Sequence, residues 1–172
     1  DVGVDGERAA DSPASTALFD TPTSELLCEK DRELFHRHVA RLLCLATRVR
    51  PDVLLAVALL CSRVACATKV DRAKLKRIIS YLKGASTIGK RLGGNVYGGA
   101  VLQSFSDASF AVHPDVKSHN GLWITLGLGG VLIKCNKEKL VTRSSTESEL
   151  VCLSDGVALA SHCAEFLYHQ GY

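Results

Sequence analysis

Two acidic residues stand where acids are uncommon, and together they could bind a hard divalent cation. Asp107 interrupts a strand pattern between Phe105 and Phe110, where it neither caps a helix nor lies in a turn. Taken alone, such an aspartate is more often an edge residue or a hydrogen-bonded structural acid. Glu149 lies near the start of a long helical pattern, and a helix packed on the same sheet would bring the two carboxylates together. The pair predicts a metal and catalytic site at Asp107 and Glu149.

The helix that carries Glu149 also contains acids with other roles. At roughly 100° per residue, Glu149 lies roughly 50° from the centre of an apolar stripe, whereas Glu147 lies roughly 110° away. The predicted stripe consists of Leu150, Leu153, Val157, Ala160, Ala164 and Leu167. The order Ser-Ser-Thr-Glu at 144–147 predicts a reciprocal cap, in which Ser144 and Glu147 each bind a backbone amide of the first turn. Asp155 points almost opposite the stripe and is expected to be a solvated surface acid.

The elements that must position these residues form an α+β pattern. Helical spacing covers 31–49, 51–67 and 71–84, and a new helix runs from 144 to about 169. Strand patterns cover 100–110, 121–126 and 131–135, with the glycines of 127–130 forming a hairpin turn. The predicted organisation is a flexible polar arm over 1–30, a helical segment over 31–84, a linker over 85–98 and a second domain over 99–172.

The third predicted helix has a basic face that could follow the phosphates of a nucleic acid. A solvated amphipathic surface is an equally good interpretation from the sequence alone. The face consists of Arg72, Lys74, Lys76, Arg77 and Lys83. The formal charge of the chain, +3, is too small for a dedicated nucleic-acid coat protein.

The cysteines and apolar runs favour an intracellular protein without a membrane segment. The chain has seven cysteines, an odd number, and Cys61 and Cys66 lack the spacing of a zinc finger. We expect buried thiols in a reducing compartment. The longest apolar run, Val53 to Cys61, is too short to cross a bilayer, and no leader pattern opens the chain. Because the chain begins with Asp1 and has no methionine, we expect an internal piece of a longer protein.

Several motifs together resemble one family of polyproteins. They are Ser-Asp-Ala-Ser-Phe at 106–110, Lys-Ser at 117–118 before a glycine-containing hairpin, and Ser-Ser-Thr-Glu-Ser-Glu-Leu at 144–150. These resemble the ribonuclease H domain of copia-type retrotransposons. The upstream segments 38–43, 47–52 and 77–84 resemble the end of the reverse transcriptase of the same elements. The resemblance covers roughly residues 33–172. It implies a helical reverse-transcriptase tail followed by an incomplete ribonuclease H-like fold, with a three-stranded antiparallel sheet and one long helix.

The resemblance also implies a chemistry, which the chain carries only in part. In the family, four acids bind two Mg²⁺ ions, or Mn²⁺ as an alternative, while the RNA strand of an RNA–DNA hybrid is cut. By position, Asp107 matches the first acid and Glu149 the second. The other two acids, and the Tyr-X-Asp-Asp motif of the polymerase, are not in this sequence. We therefore expect weak metal binding and little nuclease activity from this chain alone.

Partners and location follow from the same resemblance. The expected partners are an RNA–DNA hybrid or template–primer duplex and the rest of the polyprotein, with no membrane. The expected location is intracellular, in a cytoplasmic virus-like particle or in the nucleus. A sheet that stops at three strands leaves an open edge, through which we expect self-association. The alternative function is that of a non-catalytic remnant that binds nucleic acid or another protein.

Overall fold

The chain folds into two compact units that together give an α+β protein. A computed structural model describes residues 9–93 and 101–172. The first unit spans Asp1–Gly89 and the second Lys90–Tyr172. The predicted fold class is confirmed, since three helices precede a three-stranded antiparallel sheet and one long helix. The predicted arm, linker and second domain include residues 1–8 and 94–100, which lie outside the described residues.

The first unit is a three-helix arrangement joined by short turns. Helix α1 spans Glu29–Arg48, α2 spans Leu54–Arg63 and α3 spans Lys69–Gly84. Single 3₁₀ turns at Pro51–Val53 and Val64–Cys66 flank α2. Helix α2 is apolar on most faces and lies at the centre, so that Val57, Leu59 and Leu60 are almost fully buried. They pack with the buried apolar residues of the neighbouring helices, which are Phe35, Val39, Ala46, Leu75 and Ile78.

A buried arginine fixes the break between α1 and α2. Arg50 is 4% exposed, and its guanidinium makes two bonds to the Asp52 carboxylate, at 2.9 and 2.7 Å. It also donates to the Ala85 carbonyl at 2.7 Å, and the Tyr81 hydroxyl donates to Asp52 at 2.9 Å. Since a planar guanidinium matches a carboxylate in this paired geometry, the turn at Pro51 is tied to the end of α3.

Helix α3 begins with a capping box that the sequence pattern did not predict. Thr68 is the N-cap residue, and its hydroxyl accepts from the Asp71 amide at 3.3 Å. The Asp71 carboxylate, 1% exposed, accepts from the Thr68 amide and hydroxyl, each at 2.9 Å. Arg63 is 3.4 Å from the same carboxylate. The helix therefore begins at Lys69, two residues before the predicted start, because Thr68 is its N-cap and Asp71 completes the reciprocal cap in the position that glutamate usually holds.

The described part of the arm lies against α3. Residues 9–28 contain no helix or extended strand, but Leu18 and Leu27 are buried. The Leu27 amide donates to the Ala67 carbonyl, and the Lys69 amide donates to the Glu25 carbonyl. These backbone bonds form a short antiparallel bridge that holds the arm beside the start of α3.

The second unit is an antiparallel sheet covered by one helix. Strand β1 spans Gln103–Ser109, β2 spans His119–Thr125 and β3 spans Gly130–Lys137, and the sheet order is β1-β2-β3. Asp107 pairs with Gly121, and Gly121 with Cys135. Helix α4 spans Ser145–His169 and packs mainly against β1. Every predicted strand and helix is present, with ends shifted by a few residues.

Candidate functional site

The start of α4 places Glu149 one turn into the helix. The Ser144 hydroxyl accepts from the Glu147 amide at 3.2 Å, as the capping pattern predicts. The Glu147 carboxylate, however, accepts from the Arg143 amide at 2.6 Å and not from the Ser144 amide. The reciprocal bond is shifted by one residue, because the exposed glutamate reaches past the cap to the preceding amide. Both residues are engaged at the helix end.

The buried face of α4 differs from the one that the leucine spacing predicted. Ser148, Cys152 and Gly156 are the buried residues of the helix. Leu150 and Val157, at the centre of the predicted stripe, are 60% and 55% exposed. Among the described residues, no other element covers this leucine face.

Helix α4 is rotated about its axis relative to the predicted orientation because the helix and the sheet approach each other closely. A Cβ added at Gly156 would lie 3.0 Å from Leu122 Cδ1 and 3.7 Å from Ser106 Cβ. Small residues at four-residue spacing let the helix backbone lie directly on β1 and β2. Leu122 and Ile124, which are 7% and 0% exposed, fill the interface from the sheet side.

Asp107 lies in the strand that α4 touches. The Cys152 thiol donates to the Asp107 carbonyl at 3.2 Å, which ties the third turn of α4 to the middle of β1. Because Ser106 faces Gly156, strand alternation directs the Asp107 side chain to the other face of the sheet. Asp107 and Glu149 are both exposed.

The two carboxylates have the chemistry of metal ligands, but their convergence stays a prediction. Neither takes part in an ion pair or side-chain hydrogen bond within residues 9–93 and 101–172, so both are accessible oxygen donors of the kind Mg²⁺ prefers. Over the same described ranges, no group of three or more His, Cys, Asp or Glu side chains is placed to hold a metal ion.

The sequence did not predict a buried pair of histidines near the start of β2. His113 Nε2 lies 2.9 Å from His119 Nδ1, and His119 Nε2 lies 3.1 Å from Cys135 Sγ. Burial, with a smaller effect of His113, lowers the pKa of His119 to about 4. Burial raises the pKa of the Cys135 thiol to about 11. Burial also lowers the pKa of His113. All three groups are therefore neutral near pH 7, which favours a structural role over acid–base or nucleophilic chemistry. No spacing signal could have joined His113 to Cys135.

The loop that presents His113 is conformationally strained. Ala111 and Val116 have φ of 52° and 60°, in the left-handed region that a β-branched residue rarely adopts. Backbone bonds from His113 N to Lys117 O and from Val116 N to His113 O hold the turn. The loop also places His113 against His119 at the start of β2.

The predicted basic face of α3 is largely occupied by contacts within its own unit. Lys74 donates to the carbonyls of Leu18 and Asp20 at 2.8 and 2.6 Å. Arg77 donates to the Ser12 carbonyl and hydroxyl, and Arg72 pairs with Asp31 at 3.1 Å. Lys76 lines a shallow groove that also contains two ion pairs, Arg72–Asp31 and Lys69–Glu25. Lys83 is exposed at the end of the helix. The face is thus partly a docking surface for the arm.

Helix α4 has the length and composition of a membrane-crossing helix, unlike any run that the sequence analysis singled out. Its most apolar 18-residue window has a mean hydropathy of 1.4, and 11% of that window is buried. The core helices of soluble proteins can have the same length and composition, but they are mostly buried, whereas α4 is mostly exposed within the described residues.

Comparisons with known proteins define the family of the chain. No family model and no solved structure matches it. It is 32% identical over 120 residues to the secreted RxLR effector protein 161 of Plasmopara viticola, which covers 68% of this chain and 82% of that protein. The chain belongs to the same family as this effector protein.

A second relative comes from a plant. The chain is 28% identical over 144 residues to the uncharacterised mitochondrial protein AtMg00810 of Arabidopsis thaliana, which covers 83% of this chain. The match spans 55% of the Arabidopsis protein, about half of its length. This homology supports a retrotransposon origin for the chain.

Proposed function

We propose that the chain is a piece of a retrotransposon-derived polyprotein, formed by the end of a reverse transcriptase and the first half of a ribonuclease H domain. The lineage function is hydrolysis of the RNA strand of RNA–DNA hybrids. Asp107 and Glu149 are the two metal-binding acids that the chain retains. With two of four acids, it has little or no nuclease activity by itself. We place it inside the cell, in a virus-like particle or the nucleus.

One observation carries this proposal. The acid-bearing strand β1 begins an antiparallel three-strand meander, and the helix that follows the meander returns to β1 with Glu149 in its first turns. The Cys152–Asp107 hydrogen bond fixes that return. The retrotransposon origin and the copia-type motifs at 106–110 and 144–150 support the same assignment.

The carboxylates fit a hard cation by their chemistry. Each offers two oxygens without a competing side-chain partner among the described residues, and oxygen ligands are those that Mg²⁺ and Mn²⁺ take. When bound, such ions supply charge neutralisation and an activated water. The protein would hold Asp107 on a strand and Glu149 on a helix. The contacts of Gly156 and Cys152 with the sheet fix the position of that helix.

Paramagnetic broadening by Mn²⁺ tests the metal assignment without relying on activity. In NMR spectra of the full chain, we expect Mn²⁺ to broaden the amides around Asp107 and Glu149, and less so in Asp107→Asn and Glu149→Gln. Glu165→Gln, an exposed acid farther along α4, is the matched control and should broaden like the native chain. Broadening that is unaffected by either site variant would reject the metal site.

A cleavage assay tests the expected inactivity. We expect no magnesium-dependent cleavage of a labelled RNA–DNA hybrid above the Asp107→Asn background. Robust cleavage that Asp107→Asn abolishes would show that two acids suffice, and the description as half a site would then be wrong.

A second candidate is a non-catalytic interaction module. The observation that favours it is membership of a family whose Plasmopara viticola relative is named a secreted effector, together with the exposed apolar face of α4. Salt-dependent binding to a hybrid duplex that falls in the Arg72→Gln, Lys76→Gln, Arg77→Gln triple variant would support a nucleic-acid partner. Because Arg72 and Arg77 also hold contacts within their unit, Lys76→Gln alone serves as the variant that leaves them intact.

A further inference from the structure

Helix α4 carries a regular row of apolar side chains that is largely open to solvent. The row repeats with spacings of three and four residues, and it consists of Leu150, Leu153, Val157, Ala160, Ala164 and Leu167. Leu150, Leu153 and Val157 are 60, 49 and 55% exposed. Tyr168, five turns after Leu150 and on the same side of the helix, is 74% exposed. Soluble monomers rarely expose contiguous apolar patches larger than roughly a few hundred Å². The row therefore has the character of an interaction surface.

The spacing of the row is that of a coiled-coil seam. Strict alternation of three and four residues averages about 3.5, the repeat at which two α-helices interlock their side chains along their length. The row fills the first and fourth places of successive seven-residue repeats with apolar residues only. Because Ser148, Cys152 and Gly156 hold α4 on the sheet, a second helix would meet one that is fully formed. The row is thus suited to another helix.

The charges of α4 argue against a lipid bilayer as the occupant of this surface. Helices that lie on a membrane carry Lys and Arg on their polar face, and the lipid surface that they meet is often anionic. Helix α4 has no Lys or Arg and contains four acids, which are Glu147, Glu149, Asp155 and Glu165. Glu149 lies only roughly 50° from the centre of the row, where hydrocarbon would surround it. A protein helix that leaves the edges of the row in water avoids this cost.

We propose that α4 packs in antiparallel orientation against α4 of a second copy of the chain. A pair of this kind, related by a two-fold axis, matches the row in three layers, which are Leu150 with Leu167, Leu153 with Ala164, and Val157 with Ala160. Two of these layers join a large side chain to a small one, as close packing requires. A parallel pair would place Ala160 and Ala164 each against itself and leave a gap there. It would also bring the two Glu149 carboxylates together, whereas the antiparallel pair separates them by about 28 Å.

The size of the contact indicates a weak dimer. The exposed parts of Leu150, Leu153, Val157 and Tyr168 amount to roughly 300–400 Å² per copy, to which the flanking residues add. Stable complexes bury about 800 Å² per partner, and weak ones less than about 600 Å². We therefore expect a monomer–dimer equilibrium with a Kd of about 10–100 µM. The contact does not depend on the proposed nuclease lineage, and it uses a different surface from the open sheet edge.

Sedimentation equilibrium of the full chain tests the contact. The average mass should rise from that of one chain toward that of two between about 10 and 500 µM. Leu153→Glu places a charge inside the row and should raise Kd at least about tenfold. Ala158→Glu is the matched control, because it adds the same charge at an exposed position of α4 roughly 130° from the centre of the row. This control should dimerise like the native chain.

Disulfide cross-linking tests the orientation, and it needs no charged variant to fold. When Leu150→Cys and Leu167→Cys are mixed and mildly oxidised, a disulfide between positions 150 and 167 of two copies should form. Peptide mass spectrometry distinguishes it from bonds of the native cysteines. In either variant alone, the two new thiols would lie about 25 Å apart in an antiparallel pair, too far for a disulfide. A disulfide that joins position 150 to 150, or 167 to 167, would overturn the antiparallel arrangement.

Three other outcomes would reject the proposal. A native chain that stays a monomer up to about 500 µM would overturn the contact. A dimer that Leu153→Glu leaves unchanged would transfer self-association to the open sheet edge. A native chain that stays monomeric but sediments with vesicles of phosphatidylcholine and phosphatidylserine would assign the row to lipid.

Discussion

The rotation of α4 about its axis can be tested by comparing a substitution on its buried face with one on its leucine face. Gly156→Val adds a branched side chain where a Cβ alone would be 3.0 Å from Leu122 Cδ1, well inside the usual 3.5–4.0 Å carbon contact. Overpacking of this kind costs about 1–3 kcal/mol. Valine recovers only about 0.4 kcal/mol because it forms helix more readily than glycine. The net expectation is a loss of about 2 kcal/mol.

The matched substitution is Leu150→Ala. Leu150 is 60% exposed, so it retains less than half of the roughly 2–3 kcal/mol that full burial of leucine provides. We expect a loss of about 1 kcal/mol or less. Leu122→Ala, at a position 7% exposed in β2, gives the scale of a true core deletion, about 2–5 kcal/mol.

Urea unfolding followed by Trp123 fluorescence measures these differences. For a slope of about 1–2 kcal/mol/M, Gly156→Val should lower the midpoint by about 1–2 M. The order of destabilisation should be Leu122→Ala, then Gly156→Val, then Leu150→Ala. If Leu150→Ala destabilises more than Gly156→Val, the helix buries its leucines after all. Glu149 would then lie nearer the sheet, and the placement of the two acids given above would be wrong.

Three further predictions concern single side chains. Asp71→Ala removes the carboxylate that caps α3 and should lower the free energy of unfolding by about 3 kcal/mol. Melts followed by helical CD measure this loss, and a loss below about 1 kcal/mol would contradict the buried capping box. Lys74→Ala removes the hydrogen bonds to the Leu18 and Asp20 carbonyls and should speed proteolysis within residues 10–24. Cleavage at the native rate would argue against a docked arm. Because the folded pKa of His119, about 4, lies below its ordinary value of 6.5, the folded state binds fewer protons. Stability of the second unit should therefore fall as pH drops from about 6.5 to 4, by up to about 3 kcal/mol. His119→Gln should flatten that pH profile, and an unchanged slope would exclude His119 as its source.

Periodicity was sufficient to predict the order and type of the elements. The alternation in β1 to β3 and the apolar spacing of α1 to α3 are local properties, and each predicted element is present. Ser144 capped α4 as its pattern indicates, since a cap depends on neighbours within four residues.

Contacts between segments that are distant in the chain could not be predicted from the sequence. The leucine stripe of α4 is the more hydrophobic face, but the small residues Cys152 and Gly156 allow a closer approach to the sheet. The His113–His119–Cys135 chain joins a loop and two strands. For the candidate metal site, the sequence predicted Asp107 and Glu149, while the direction in which Glu149 points depends on the rotation of α4 about its axis.

The manner in which the arm is held bears on how its sequence can change over evolution. Lys74 binds the backbone carbonyls of Leu18 and Asp20, and Arg77 binds the Ser12 carbonyl in addition to the Ser12 hydroxyl. The carbonyls are the same whatever side chain the residue carries. Within the described part of the arm, residues 9–28, only Leu18 and Leu27 are buried. Most positions between 10 and 27 can therefore accumulate substitutions at small cost, while the lysine and arginine on α3 cannot. In a lineage of decaying copies, the arm should lose recognisable similarity first and still keep its path.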